Sequence, residues 1–359
     1  MNVMVVRGNP RKKGYTQHLT DLFVEGLREG GAAIDDIDLA SSAINPCVGC
    51  YRCWTESPGR CFFRDDMDDL LPRLLECDVL VCATPLYFYG MSASMRTFVE
   101  RTLPLTREGF ETTPGGLVRN RTRYPETWSK HLIGLAAGAF KSLENFSGFV
   151  RTMELITEGV NFAPGGLLLR PESYLLQFSL AKPKTVKTVE TAFVRAGLET
   201  AADGSISGPT LRDARMPLSI DQYHFRTYSN IYWEHVRALG PEEVEAIQRA
   251  VTTDIRILMH EMARSIDPGA AARLRAVLQF DFPDIDYHVR IAVDRGSCTL
   301  EEGSTESPDL RVTVDSRTWA GVFMREIDAR EALRDRRIVL EGDKSLFVRL
   351  ERYFPPPSS

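Results

Sequence analysis

The sequence contains little that would direct the protein to a membrane, a secretory route or a nucleic acid. No apolar run approaches the roughly 20 residues that a helix needs to cross a bilayer. The opening stretch, MNVMVVRGNPRKKG, lacks the apolar core and cleavage site of a signal peptide, so we expect a cytoplasmic protein. The net charge is −5 and the basic residues are dispersed, which leaves no electrostatic footprint for nucleic acid.

Residues that would indicate hydrolytic or histidine-metal chemistry are also scarce. The six histidines form no HxxxH pair, and no serine lies in a GxSxG motif. The acidic residues at 65–69 are more typical of a helix start than of a cation site. The sequence therefore predicts no catalytic acid, base or nucleophile. Seven cysteines is an odd number, and without a secretory signal we expect reduced thiols or metal ligands rather than disulfides.

The first half of the chain alternates between strands and helices. A chain of 359 residues predicts two domains, and we place the first at 1–215. The predicted strands are 3–6, 34–39, 79–83, 131–136 and 167–169. Strands that are apolar on both faces and separated by helices predict a parallel sheet covered on both sides. Five such strands indicate an α/β fold of the doubly wound, flavodoxin-like kind.

The second half of the chain has a different pattern of apolar and polar residues. From 181 to 239 the pattern is weaker, and 182–184 and 204–210 are predicted as connections. We assign 216–254 to a helical connection, with a long helix beginning at Pro241 and continuing past Met262. Strands of alternating polarity then follow at 287–293 and 310–314, and a helix is expected at 319–333. This predicts a smaller α+β domain with an antiparallel sheet at 255–357.

The loop after the first strand, GNPRKKGYT, precedes a predicted helix. A helix N-terminus offers free N–H groups and a positive dipole end to an anion. Glycines let the backbone approach a phosphate, amide and hydroxyl groups can donate to it, and a guanidinium can pair with it. The residues suited to this are Gly8, Asn9, Arg11, Gly14 and Thr16. The loop is not GxGxxG, so FMN fits better than a dinucleotide; an ordinary turn is the alternative.

The loop after the third strand, TPLYFYGMSAS, lies where the strand order of a flavodoxin-like sheet reverses. Between Pro85 and Gly90 it carries four large side chains, Leu86, Tyr87, Phe88 and Tyr89. An exposed apolar patch is costly unless something flat covers it, and an isoalloxazine ring would do so. Gly138, after the fourth strand, is placed to flank that ring. The alternative is a contact between protomers or a loop anchored in the core.

Four cysteines follow the spacing C-x2-C-x2-C-x7-C, namely Cys47, Cys50, Cys53 and Cys61. Three closely spaced thiolates with a fourth nearby are how a 4Fe–4S cluster is held. Zinc also takes four thiolates, but its two C-x2-C pairs are usually farther apart. Free or redox-active thiols are the third possibility. The remaining three are isolated and predicted as core residues: Cys77, Cys82 and Cys298.

Three segments carry a family resemblance: GNPRKKGYTQHL, the cysteine stretch with FRDDM, and CDVLVCATPLYFYGMSASMRTFVER. They resemble the NAD(P)H-dependent FMN reductase superfamily, most closely its iron–sulfur flavoproteins, over residues 1–235. The resemblance implies an FMN phosphate on the first loop, the ring against 85–90, and a 4Fe–4S cluster on the four cysteines. The FMN contacts expected on this basis are Asn9, Arg11, Gly14, Tyr15, Thr16, Pro85, Leu86, Tyr87, Phe88, Tyr89, Gly90 and Gly138. Asn9 stands where many relatives have Ser, and Glu100 where Asp is more usual.

Residues 255–357 resemble the sterol carrier protein type 2 lipid-binding domain. The matching features are an acidic turn near Cys298, Pro308-Asp309 before a strand, a helix through Trp319, and EGDKSLFVRL. Arg325-Glu326 departs from the usual glycine. The resemblance implies an apolar cavity that holds a hydrophobic ligand. The alternative is an accessory domain that packs on the flavin domain and aids oligomerisation.

These features together predict an FMN-dependent oxidoreductase with a 4Fe–4S cluster. The resemblance implies NAD(P)H or ferredoxin as the electron donor. The acceptor is a small quinone-like or otherwise apolar molecule on the side of Tyr87 to Tyr89. We expect a homo-oligomer, either a dimer or a tetramer. The alternatives are a non-catalytic flavin- and lipid-binding electron carrier, and a cluster-free NAD(P)H:quinone or FMN reductase.

Overall fold

The computed structural model describes residues 1–125, 130–177, 183–219, 222–240 and 242–355. The chain forms two compact units, Met1–Ile220 and Asp221–Ser359. The stretch predicted as a helical connection, 216–254, is divided between them. Within the described ranges, no helix has both the length and the apolar character that a membrane crossing requires.

The first unit is built on a parallel sheet of five strands. The strands of the whole unit are β1 (Asn2–Arg7), β2 (Ala33–Asp38), β3 (Val79–Pro85), β4 (Thr106–Thr112), β5 (Val118–Thr122), β6 (His131–Ala137) and β7 (Ala163–Arg170). The main sheet has the order β2-β1-β3-β6-β7, while β4 and β5 form a separate antiparallel hairpin. All four pairings in the main sheet are parallel. This is the flavodoxin-like order, so the predicted fold class is confirmed.

Helices cover both faces of this sheet. They are α1 (Tyr15–Glu29), α2 (Arg52–Thr55), α3 (Met67–Glu76), α4 (Ala93–Glu100), α5 (Ser147–Val160), α6 (Pro183–Asp203) and α7 (Gly208–Ala214). Alternate residues of a strand point to opposite faces, so Val5 packs with Phe23 and Phe193 on one face. On the other face Met4 joins the core that includes Phe98. Every residue of β3 is buried, as expected for a central strand.

Helices α1 and α6 approach each other through glycines. A Cβ atom added at Gly26 would lie 1.9 Å from the carbonyl oxygen of Val194. One added at Gly197 would lie 2.1 Å from the carbonyl oxygen of Phe23. The two helix backbones therefore touch directly at this crossing, and no side chain can be placed between them.

Several elements of the first unit differ from the sequence-based expectations. The hairpin of β4 and β5 follows a short 3-10 helix, Leu103–Leu105. Helix α6 begins at Pro183, inside a stretch predicted as a connection, and α7 includes the end of the other predicted connection. Proline is well tolerated at the first position of a helix because it has no N–H to leave unpaired.

The second unit is an α+β domain. Its helices are α8 (Gln222–Leu239), α9 (Val244–Thr252), α10 (Ile255–Arg264), α11 (Ser316–Phe323), α12 (Ala329–Arg334), α13 (Lys344–Val348) and α14 (Leu350–Tyr353). Its strands are β8 (Arg275–Phe282), β9 (Tyr287–Asp294), β10 (Ser297–Glu302), β11 (Leu310–Val314) and β12 (Ile338–Gly342). The sheet order is β10-β9-β8-β11-β12. Because β8 and β11 run parallel, the sheet is mixed rather than wholly antiparallel as predicted.

Two helices predicted for this unit are each divided in the structure. The long helix predicted from Pro241, a residue outside the described ranges, corresponds to α9 from Val244 to Thr252. A second helix, α10, starts just after it, where the Asp254 carboxylate accepts the backbone N–H of Arg256 at 3.0 Å. The helix predicted at 319–333 is interrupted at Arg325, which has a φ of +62°. Both predictions were based on an apolar pattern that continues through the break. A helix cap or a residue with left-handed backbone ends a helix without changing that pattern.

Candidate functional site

The two predicted flavin loops meet at the carboxyl ends of β1 and β3. The N–H of Gly8 donates to the carbonyl of Ala83 at 2.7 Å. The Ser92 hydroxyl donates to the carbonyl of Gly8 at 2.6 Å, and the Ser92 N–H donates to the Thr84 hydroxyl at 2.9 Å. A Cβ atom at Gly8 would lie 2.8 Å from that of Met95, so glycine lets the loops approach this closely.

Helix α1 presents an uncapped N-terminus beside these loops. Its N-cap residue is Gly14, and in the part of the chain that the structure describes no side chain bonds to the cap. Arg11, Lys12 and Lys13 lie on the preceding loop, where all three are exposed. The N–H groups of the first helical turn, the positive end of the helix dipole and nearby cations form an arrangement that suits a phosphate.

Asn9 is buried in the same loop, with 6% of its surface exposed. Its Nδ2 donates to the carbonyl of Arg11 at 3.0 Å and to Oε1 of Gln17 at 2.9 Å. Its Oδ1 is buried and has no hydrogen-bond partner among the described residues. The amide protons that the sequence assigned to a phosphate are therefore used by the loop and by Gln17 of α1, and the atom without a partner is an acceptor.

The loop after β3 ends in a tight turn of aromatic residues. Tyr87 and Gly90 exchange two backbone hydrogen bonds, of 3.0 and 2.9 Å. Between them, Phe88 and Tyr89 both have positive φ angles, +46° and +64°, which are the signs of a type I′ turn. Left-handed backbone costs an L-residue roughly 1–2 kcal/mol, and here neither is glycine. Phe88 is fully exposed, so the turn holds a strained aromatic tip in the solvent.

The loop after β6 lies against this turn. Tyr89 stacks on Phe140, with ring centroids 5.6 Å apart and planes inclined by 12°. A Cβ atom at Gly138 would lie 3.0 Å from both Leu86 and Phe146. Leu86 is 8% exposed and belongs to the core, so it anchors the turn instead of presenting a surface as the sequence predicted. Gly138 is needed for that packing.

The four clustered cysteines line one pocket. The other residues around it are Val48, Tyr51, Phe62, Phe63, Glu100, Arg101, Leu103 and Pro104. All seven cysteines of the chain are free thiols; Cys77 and Cys82 are buried as predicted, and Cys298 is half-buried. Over the described ranges, no three cysteine, histidine or acidic side chains are already arranged to hold a metal ion. The pocket therefore gathers the thiols without placing them in ligand geometry.

Electrostatics in the pocket oppose bare thiolates. The pKa of Cys53 is raised to about 11, mainly because the thiol is buried and further because the other three cysteines would add negative charge. At neutral pH this thiol stays protonated unless a cation compensates the charge. A bound metal ion supplies such compensation and deprotonates coordinating thiols.

A buried ion pair joins the segment that follows the four cysteines to the end of α4. Nη1 and Nη2 of Arg101 donate to the two carboxylate oxygens of Asp65 at 2.7 and 2.9 Å, and both side chains are almost fully buried. Nη1 also donates to the carbonyl of Asn45 at 2.6 Å. Burial opposes the charge of Asp65, but the bonds from Arg101 and nearby N–H groups hold its pKa far below the usual range. The sequence assigned Asp65 to a helix cap and gave Arg101 no role.

Helix α4 separates the two candidate sites. Its N-cap, Ser92, bonds to Gly8 at the flavin loops, and Arg101 follows its last residue at the cysteine pocket. Eight residues at 1.5 Å each make the helix about 12 Å long. The cysteine pocket therefore lies about one short helix away from the first flavin loop.

Two family models match the chain. Residues 1–122 match the NADPH-dependent FMN reductase family. The N-terminal part of the chain is thus similar to flavin reductases. The matched segment contains both flavin loops, the four cysteines and the pair Asp65–Arg101. Residues 246–359 match a model described as alkyl sulfatase C-terminal. The sterol carrier resemblance predicted for that part therefore stays a prediction.

Curated relatives resemble the same N-terminal part. An iron–sulfur flavoprotein of Methanocaldococcus jannaschii is 36% identical over 111 residues, which are 31% of this chain and 56% of the relative. One of Archaeoglobus fulgidus is 35% identical over 104 residues, 29% of this chain and 46% of the relative. A Bacillus subtilis protein named NAD(P)H-dependent FMN-containing oxidoreductase YwqN is 30% identical over 101 residues, 28% of this chain and 51% of the relative. The chain spans about half the length of the curated relatives it matches.

Solved structures are also similar to part of this chain. An NAD(P)H:quinone oxidoreductase from Methanothermobacter marburgensis is 16% identical with a TM-score of 0.42, covering 55% of this chain and 96% of its own. An FMN-dependent NADH-azoreductase from Bacillus anthracis, solved with FMN, is 11% identical with a TM-score of 0.42. It covers 57% of this chain and 99% of its own.

Proposed function

We propose that this protein is an FMN-dependent oxidoreductase that takes electrons from NAD(P)H or a reduced ferredoxin. The acceptor is a quinone-like or other apolar organic molecule. The observation that carries the proposal is the junction of the two loops at Gly8 and Ser92, beside the uncapped start of α1 and the strained aromatic turn. The similarity of residues 1–122 to FMN reductases supports it.

The described residues fit FMN group by group. The N-terminus of α1 and Arg11 suit the phosphate, and the buried Oδ1 of Asn9 can accept a hydrogen bond from a ribityl hydroxyl. Tyr87 and Phe88 provide apolar surface for the ring system. When bound, FMN supplies the redox chemistry, while the protein binds it, orients it and shields it from water.

Reversing the charge of Arg11 tests the phosphate site. We expect Arg11→Glu to weaken FMN binding about tenfold, because one charge-assisted contact to phosphate is replaced by repulsion. Quenching of FMN fluorescence on titration into the apoprotein measures the affinity. Arg28→Glu, at the other end of the same helix, is the matched control and should leave the affinity unchanged. Equal effects of both substitutions would argue against a phosphate at this loop.

We further propose that Cys47, Cys50, Cys53 and Cys61 hold a 4Fe–4S cluster. Their common pocket supports this. Relatives named iron–sulfur flavoproteins also support it. Because the thiols are not already in ligand geometry, the loop must close around the cluster as it is assembled.

Anaerobic purification followed by absorption spectroscopy and metal analysis tests the cluster. We expect flavin bands with a broad shoulder between them that bleaches on reduction, and iron and sulfide in equal amounts. Cys50→Ser should lose most of the iron, whereas Cys298→Ser, in the second unit, should keep it. Zinc without sulfide, or flavin bands without iron, would contradict the cluster.

A cluster-free NAD(P)H:quinone reductase is the second candidate function. The absence of a ready-made metal geometry among the described residues favours it. Turnover of NADH or NADPH with menadione by iron-free protein containing FMN would support this candidate. An absence of turnover with either nicotinamide, and with reduced ferredoxin, would contradict both enzymes and leave the flavin- and lipid-binding carrier.

For the second unit we propose a site for an apolar ligand. The resemblance of 255–357 to the sterol carrier domain motivates this, and Trp319 supports it. The indole Nε1 of Trp319 is buried without an acceptor among the described side chains and backbone groups. Its ring lies 5.0 Å from that of Phe280 and 6.3 Å from that of Phe347. An oxygen atom of an otherwise apolar ligand would satisfy this N–H.

A further inference from the structure

The guanidinium of Arg101 is held in one orientation. Asp65 accepts from both of its terminal nitrogens, and the carbonyl of Asn45 accepts a further bond. The Asp65 carboxylate also accepts the Asn45 N–H at 2.9 Å and the Met67 N–H at 3.2 Å, so it cannot rotate freely. The guanidinium carbon lies 5.2 Å from the ring centroid of Phe63. These contacts fix the plane of the guanidinium without using its third nitrogen.

That third nitrogen, Nε, is buried without a partner among the described residues, and Arg101 lines the cysteine pocket. Arg101 is itself only 1% exposed and lines the pocket with the four cysteines. Cys61 lines the same pocket and lies two residues before Phe63, whose ring packs on this guanidinium. Cys61 is therefore the cysteine that we place opposite Nε.

We infer that Arg101 is a positioning residue for the proposed cluster, whose Nε–H donates to the sulfur of Cys61 when that thiolate binds iron. The inference rests on the proposed 4Fe–4S cluster and adds a determinant of its potential. Hydrogen bonds to cysteine sulfur and nearby positive charge are among the factors that set the potential of such clusters. The hydrogen bond and the positive charge both stabilise the reduced cluster, because the reduced cluster carries more negative charge than the oxidised one. Arg101 therefore raises the reduction potential.

Arg101→Lys tests the hydrogen bond while keeping a positive charge. Lysine can still pair with Asp65 but carries no donor in the Nε position. We expect the variant to keep its iron while its cluster becomes about tenfold harder to reduce, about 59 mV for one electron. A redox titration followed by electron paramagnetic resonance measures this potential. Arg52→Lys is the matched control, since Arg52 lies over Phe62 on the same loop and does not line the pocket.

Spectroscopy of the wild-type protein tests the same bond without a substitution. Electron–nuclear double resonance of the reduced cluster should show a coupled, exchangeable proton that is absent in Arg101→Lys. If the variant does not fold, as judged by circular dichroism, this wild-type signal decides the matter, and its absence overturns the inference. Wild-type protein without iron would defeat the cluster proposal and this inference together. A wild-type cluster with equal potentials in wild type and Arg101→Lys would overturn this inference alone.

Discussion

Asp65→Asn is expected to lower the free energy of unfolding by about 3–5 kcal/mol, because it leaves the buried charge of Arg101 without a counter-ion. Arg101 and Asp65 have side-chain exposures of 1% and 4%. Water therefore cannot solvate the guanidinium in place of the lost carboxylate. Asparagine still offers one oxygen, so the loss comes from charge rather than from shape. Urea unfolding monitored by circular dichroism measures the change.

A matched substitution three residues away separates burial from charge. Asp68 pairs with Arg64 at 3.2 Å on the surface, with exposures of 35% and 62% for Asp68 and Arg64 respectively. Exposed ion pairs on helices contribute less than about 1 kcal/mol, so Asp68→Asn should have little effect. If the two substitutions destabilise the protein equally, the buried pair does not carry the stability assigned to it.

The effect of Asp65→Asn should also depend on pH. The pKa of Asp65 is lowered in the folded state, so its contribution is complete above its unfolded pKa of roughly 3.9 and declines as pH falls through the folded pKa. The stability difference between wild type and variant should therefore be constant near neutrality and shrink below about pH 4. A difference that stayed constant through this range would contradict the assigned ionisation.

The pair Asp65–Arg101 illustrates what a sequence pattern cannot contain. Acidic residues before a helix usually act as caps, and the local pattern at 65–69 is that of a cap. The N-cap residue is in fact Asp66, and Asp65 turns to an arginine far along the chain. Only the fold brings those two side chains together, because the sequence around one residue contains no information about its contact with the other.

Gly26→Ala should lower the free energy of unfolding by roughly 1–3 kcal/mol, the usual cost of overpacking a core. Its Cβ atom would lie 1.9 Å from the Val194 carbonyl oxygen and 2.8 Å from the carbonyl carbon. Both are backbone atoms, so relief requires α1 and α6 to move apart. The same helices carry Phe23 and Phe193 into the core, and that packing would loosen. Thermal or urea unfolding measures the loss.

Gly159→Ala in α5 is the control for the intrinsic preference of helices. A Cβ atom there would meet no described residue within 4 Å. Alanine is favoured over glycine inside a helix by up to about 1 kcal/mol, so this variant should be as stable as wild type or more stable. If Gly26→Ala were stabilising as well, the close crossing of α1 and α6 would be refuted.

The sheet could be predicted from the sequence because its signal is local. Each central strand is a short run that is apolar on both faces, and the alternation with helices fixes a parallel arrangement. Strand β7 shows the limit of this reasoning. It begins at Ala163, before the predicted 167, because Pro164, Gly165 and Gly166 read as a turn. In the structure Pro164 pairs with Leu132 of β6 and Gly166 with Ile133, and Gly165 lies between them at a shift in register.

The sequence predicted which loops form the candidate site better than it predicted the contacts that their side chains make. The glycines and aromatic residues show where the chain turns after a strand. The topology of the sheet then places these turns together at one edge. The direction of each side chain depends on packing from elsewhere. Leu86, which was predicted among the ring contacts, has its side chain in the core, and the amide of Asn9 donates to Arg11 and Gln17.

The aromatic turn has a consequence for evolution and for engineering. Phe88 and Tyr89 occupy backbone conformations that glycine or asparagine would adopt at lower free energy. A selection for heat resistance alone would replace them early, because stabilising substitutions are readily found where a native residue is strained. Such a selection would also remove the aromatic surface at the sheet edge. Thermal tolerance and ligand recognition therefore compete at these two positions, and a more robust variant obtained there should be a poorer binder.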